Sequence, residues 1–176
     1  HFPDEFQGNY LNCNVIGFQG IFRVRVTEEG SGLKGETLEN IVSSTDPNFR
    51  PSCVSVGPDG ALYVADMYRR EIDHPAYVPE ESRGGLDFES GKDRGRIYRL
   101  TRSGAPRAAP LEVGTVAGQV AALDAAEEWW RAEAFRRLIE ADDQAATQAL
   151  VRMAGAGRRP EARVRASDPS LWFGKR

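Results

Sequence analysis

The 176 residues carry a net charge of −3 with 40% hydrophobic and 28% charged side chains, a balance that suits a globular chain able to bury a core. It argues against a nucleic-acid surface, because phosphate binding needs a surplus of clustered Lys and Arg, and here acidic residues are interleaved with the basic ones. No stretch approaches the roughly 18 consecutive apolar residues of a membrane span.

The chain opens on His1 and enters a strand-like pattern at once, so it is expected to be a segment of a longer protein. A hairpin pattern comes first: Gly8-Asn9-Tyr10-Leu11-Asn12-Cys13-Asn14, a short turn, then Ile21-Phe22-Arg23-Val24. It returns as Gly60-Ala61-Leu62-Tyr63-Val64-Ala65-Asp66 and Ile97-Tyr98-Arg99-Leu100. The second copy holds roughly two dozen extra residues between its arms, beyond ordinary hairpin loops. Ahead of it stand a strand at Cys53–Val56 and the turn Gly57-Pro58-Asp59-Gly60. In that turn Pro58 presets φ, Asp59 suits the third position and Gly60 tolerates the exit.

Strand Cys53–Val56, turn, strand Ala61–Asp66, inserted loop, strand Arg96–Thr101 and the Arg102-Ser103-Gly104 turn together make an antiparallel meander. A lone sheet of this kind has two open edges and an unburied face, so it needs neighbouring sheets. Recurring short meanders are the pattern of a β-propeller. The expected fold of residues 1–104 is a β-propeller fragment of about two antiparallel blades, and since a closed ring needs at least about four, this half should be unstable by itself. Cys13 and Cys53 are too few for a disulfide framework and lack a C-x-x-C spacing. They read as two small buried apolar side chains, with a single disulfide as the other reading.

Residues 105–112, with Pro106 and Pro110 among alanines, read as a linker, and after it the period changes. Val116, Val120 and Leu123, then Phe135, Leu138 and Ile139, then Ala146, Leu150 and Met153 recur at helical spacing. These predict amphipathic helices of about three turns, separated by acidic breaks at Glu127-Glu128 and Asp142-Asp143. Gly155-Ala156-Gly157-Arg158-Arg159-Pro160 ends the third helix, and Glu161–Ala166 opens a fourth. Stacked helix pairs of this size suggest the start of an α-solenoid over residues 113–176. Trp129 and Trp130 read as packing residues, at least one of which is expected to seat the first helical repeat against its neighbour or the propeller.

The motifs Phe49-Arg50-Pro51, Gly57-Pro58-Asp59-Gly60-Ala61-Leu62-Tyr63-Val64-Ala65-Asp66-Met67-Tyr68-Arg69, Ile72-Asp73-His74-Pro75 and Asp93-Arg94-Gly95-Arg96-Ile97-Tyr98-Arg99 carry a resemblance. The chain resembles the membrane-bound dehydrogenases of planctomycetes and their relatives, whose propeller is similar to that of glucose and sorbosone dehydrogenases. The resemblance spans Phe2 to about Leu100. Beyond it, Trp129-Trp130-Arg131 with Ala134, and Ala162-Arg163, echo the HEAT-like repeats that follow the propeller in that family. It implies an extracytoplasmic or periplasmic location and a cofactor such as pyrroloquinoline quinone with calcium. In many relatives a c-type haem domain lies further on. The chain has no Cys-x-x-Cys-His site, so a haem would belong to a portion outside it.

The resemblance also places the Met67–Arg94 insertion on the ligand face. His74 is the candidate catalytic base, since an imidazole can take a proton from a sugar hydroxyl while a quinone accepts hydride; the other reading is a loop-pinning hydrogen bond. Asp66 is the second candidate catalytic residue. With Glu71 and Asp73 it could hold a cation, but the EF-hand register is absent and no metal site is expected. The other reading has Asp66 capping the turn, and Glu71 and Asp73 pairing with Arg69, Arg70 or Arg94. Arg94 and Arg96 are expected to project to one side of a strand and Arg99 to the other. Guanidinium forks suit the three carboxylates of the quinone, so Arg69, Arg70, Arg94 and Arg96 are the candidate cofactor-binding residues; solvated or ion-paired arginines are the alternative.

Two functions follow as expectations. One is part of a quinone-dependent sugar or alcohol dehydrogenase that passes electrons to a haem domain. The other is a non-catalytic propeller and solenoid module that binds glycans or proteins. In either, the remaining blades and downstream helical repeats of the parent chain are the expected partners.

Overall fold

The computed structural model describes residues 2–105, 108–141 and 146–168. It divides into two compact units, one of His1–Ser55 with Ala61–Pro106, the other of Val56–Gly60 with Arg107–Arg176.

The first unit holds two antiparallel sheets. In one, β1 (Asn9–Asn14), β2 (Gly20–Glu29) and β3 (Gly32–Thr37) are ordered β1-β2-β3, and β4 (Val42–Ser43) also pairs with β2. The register sets Cys13 opposite Ile21 and Ile21 opposite Val42, and Ile21 is fully buried. Beyond Val24 the β2–β3 ribbon is exposed on both strands. Its charged face carries the cross-strand pairs Arg25–Glu36 at 3.1 Å and Lys34–Glu29 at 3.3 Å. The other sheet is β5 (Pro51–Val56), β6 (Leu62–Asp66) and β7 (Arg96–Leu100) in that order. Leu62, Val64 and Asp66 alternate as its buried positions and face Leu100, Tyr98 and Arg96 on β7. Phe49 packs edge-on against Tyr98 at 5.9 Å, and the two rings with Val42, Val64 and Leu100 line an apolar cleft of about 240 Å³. The strands expected at 53–56, 61–66 and 96–101 are therefore formed with bounds moved by a residue or two. β3 and β4 lack the apolar alternation that would have announced them.

The cysteines depart from the expectation. Both are free, Cys13 half-buried and Cys53 exposed on β5. Burial raises the Cys13 thiol above its usual pKa, and the nearby Cys53 adds to the rise.

The second unit is helical. The helices are α1 (Val116–Ala122), α2 (Glu128–Ala141), α3 (Thr147–Ala156) and α4 (Pro160–Ala166). Thr115 caps α1, its Oγ1 accepting from Gly118 N at 3.1 Å, and α4 starts with proline at its first position, where a missing N–H costs no bond. One apolar core runs through the unit, with Leu123, Ala134, Leu138 and Leu150 buried and Phe135 and Met153 packed on it. Trp130 Nε1 donates to the Pro58 carbonyl at 2.8 Å, so the Gly57–Gly60 turn belongs with the helices. Gly60 takes φ +74°, as the turn requires. The expected Asp142-Asp143 break lies outside the described residues, as does Pro106. Among the described residues no helix is long and apolar enough to cross a membrane.

Candidate functional site

The loop from Met67 to Gly95 joins β6 to β7, and its shape starts from Asp66 at the end of β6. The Asp66 side chain is fully buried. Its Oδ1 accepts from the backbone N–H of Arg50 and of Tyr68, both at 2.8 Å. Its Oδ2 has no hydrogen-bond partner and stands 4.0 Å from Arg96 Nε. Tyr68 is thereby turned to φ +51°, a left-handed conformation rare for a bulky residue. The Arg96 guanidinium lies 3.7 Å over the Tyr68 ring. Gly91, at φ +79°, presses on the Tyr68 carbonyl so closely that a Cβ there would lie 2.0 Å from that oxygen.

Further clasps tie the loop to the segment before β5. Asn48 Nδ2 donates to Ser90 Oγ at 3.0 Å, Arg50 Nη2 to the Arg70 carbonyl at 2.9 Å, and Met67 N to the Arg50 carbonyl at 3.0 Å. Arg69 Nη2 donates to the Phe88 carbonyl. Arg50 Nε and Nη1 and Arg69 Nε are buried without an acceptor.

Farther out, His74 caps the 3₁₀ turn Pro75–Tyr77, its Nδ1 accepting from Ala76 N at 3.1 Å. A neutral ring that accepts at Nδ1 carries its proton on Nε2, so it offers a donor outward. Its ring meets Tyr77 edge-on at 5.9 Å, and Tyr77 is 86% exposed.

The candidate residues therefore divide. Asp66 is a buried anchor of the loop base, in line with the turn-capping reading. His74 lies well along the loop and makes the pinning bond. Arg69 is used on a backbone carbonyl. Arg96 lies on Tyr68 and its Nε donates to the Arg94 carbonyl at 3.1 Å. Arg70 is exposed, and Arg94, 4.0 Å from Asp93, precedes β7 instead of alternating with Arg96 on it. The loop is fastened by arginine-to-carbonyl bonds in place of the expected pairs with Glu71 and Asp73. Among the described residues no group of three His, Cys, Asp or Glu is placed to hold a metal. Asn48, Arg50, Tyr68 and Gly91 lie outside the expected set of site residues. Only the positive charge of Arg50 within Phe49-Arg50-Pro51 offered a signal.

A family described as a domain of unknown function, DUF7133, matches residues 1–104. The chain belongs to that family. The DUF7133 match takes in both sheets and the whole Met67–Gly95 loop. No curated protein and no solved structure matches the chain.

Proposed function

We propose that the sheet unit is part of a β-propeller, followed by the start of a HEAT-like solenoid, and that its Met67–Gly95 loop is a saccharide-binding surface. The observation that carries this is the pairing of a fixed loop base with an outward aromatic pair, His74 and Tyr77. A ring exposed on a loop whose base is already fastened binds at a lower cost in backbone ordering, and loops on rigid scaffolds are where binding residues gather. The Tyr77 face suits the C–H face of a pyranose, and His74 Nε2–H suits a sugar hydroxyl. Arg70 and Arg94, within the same loop, offer further donors.

The dehydrogenase function is the second reading, favoured by the exposed guanidinium groups of Arg70 and Arg94. Pyrroloquinoline quinone with calcium fits these residues poorly. Arg69 and Arg96 are engaged on Phe88 and Tyr68, and Asp66 gives one carboxylate oxygen to two backbone N–H groups. His74 as a base would have to release Ala76 N–H.

The test is calorimetric titration of the full-length protein with a sugar panel, alongside a dye-reduction assay with added quinone and calcium. Saturable sugar binding, abolished by Tyr77→Ala and without dye reduction, is expected. No sugar binding by a folded protein overturns the binding surface, and sugar-dependent dye reduction lost in His74→Ala moves the assignment to the dehydrogenase.

A further inference from the structure

The sheet unit has another cleft, which shares no residue with the loop. It measures about 360 Å³ and its walls include Phe2, Phe6, Arg23, Glu39, Asn40 and Arg102. The 3₁₀ turn Asp4–Phe6 brings the Phe2 and Phe6 rings to 5.5 Å, and Arg23 reaches out from β2 to lay its guanidinium 4.2 Å over Phe6. Stacking uses the flat face of a guanidinium and leaves its in-plane N–H groups directed at acceptors. Arg23 Nε is buried and has none. A buried, charged N–H without an acceptor is costly, and the groups that best relieve it are oxyanions. Arg102 at the rim adds a second guanidinium, against the single carboxylate of Glu39.

We propose that this cleft binds a small organic monocarboxylate with a flat apolar body. The ring lies along Phe2 and Phe6, and the carboxylate meets the Arg23 guanidinium where that side chain lines the cleft, with Arg102 beside it. Asn40 supplies a neutral amide to the same ligand. A volume of about 360 Å³ accommodates a molecule the size of benzoate. The Glu39 carboxylate disfavours a dianion such as phosphate, which sets the ligand class apart from a phosphoryl site.

The experiment is calorimetric titration of the full-length protein with three probes: benzoate, benzyl alcohol and inorganic phosphate. Benzoate is expected to saturate, with benzyl alcohol and phosphate each weaker by at least about tenfold, as the loss of a charge-assisted bond or the gain of a repulsion requires. Arg23→Lys, which keeps the charge and loses the fork, should weaken benzoate about tenfold. Arg102→Gln, at an exposed position, should weaken it by a smaller factor. If Arg23→Lys fails to fold, as judged by circular dichroism, Arg102→Gln carries the test. Absence of saturable benzoate binding, equal binding of benzyl alcohol or phosphate, or benzoate affinity unmoved in the folded variants overturns the proposal.

Discussion

Asp66 and Asp124 do the same work in the two units with different support behind them. Each accepts two backbone N–H groups: Asp66 from Arg50 and Tyr68, Asp124 from Arg158 and Arg159 at 3.1 and 2.9 Å. Around Asp124 the helices also bury a continuous core of Leu123, Leu138, Leu150 and their neighbours. Between Met67 and Gly95 no residue is buried. The helical connections are thus held by apolar burial with polar bonds added, whereas the long loop is held by the polar bonds themselves. Such a loop is sensitive at a few anchor points and tolerant elsewhere, because hydrogen bonds are directional and area burial is not.

The strongest way to break the loop side of that comparison is Gly91→Ala. Gly17 in the β1–β2 turn has nearly the same φ, +78° against +79°, but open space around it. Gly17→Ala therefore isolates the cost of the left-handed backbone, about 1 kcal/mol. Gly91→Ala adds a Cβ 2.0 Å from the Tyr68 carbonyl, which cannot move without releasing Tyr68 from Asp66 and Arg96. It should cost several times more, and the loop should become open to limited proteolysis under native conditions. Equal denaturant midpoints for the two variants would show that the Gly91 contact is not part of the anchor.

Asp66→Ala comes next. It leaves the N–H groups of Arg50 and Tyr68 without an acceptor, at about 1–3 kcal/mol in a buried site. Asp66→Asn retains the Oδ1 acceptor and should recover most of that loss in a urea titration, because the two N–H bonds outweigh the 4.0 Å approach to Arg96. Should Asp66→Asn be as damaging as Asp66→Ala, the charge toward Arg96 would be the larger contribution.

The same contrast explains what could be read from the sequence. Period two from Leu62 to Asp66 and helical spacing at Val116, Val120 and Leu123 mark faces that burial repeats along the chain, so the strands and helices were legible. The long loop was legible as an interruption of a repeated hairpin. Its fastening was not. Arg50 reaches the Arg70 carbonyl and Arg69 the Phe88 carbonyl, and a backbone acceptor has no residue identity to recognise. The expected pairing of Glu71 and Asp73 with arginines followed side-chain charge, which the folded loop bypasses. His74 was readable as a pinning residue because proline follows it, and its bond to Ala76 N forms at the start of that turn.

The smallest expected effect tests the helical side. Glu133 on α2 takes hydrogen bonds from Arg136 and Arg137, which with their charges outweigh burial and hold its carboxyl at about 2, down from a usual 4.5. A carboxyl whose pKa is lower in the folded state binds protons more readily when unfolded. Its contribution is therefore complete above about 4.5 and declines as pH falls toward about 2. Because both arginines are about half exposed, solvent screens the pairs, and Glu133→Gln should cost about 0.5–1 kcal/mol at neutral pH and less in high salt. The gap between the variant and the parent chain should then close on acidification across that window, followed by helical circular dichroism in urea. A gap that stayed constant from pH 6 to about 2 would mean that Glu133 acts through packing and not through its charge, and would place even these two ion pairs on the side of apolar support.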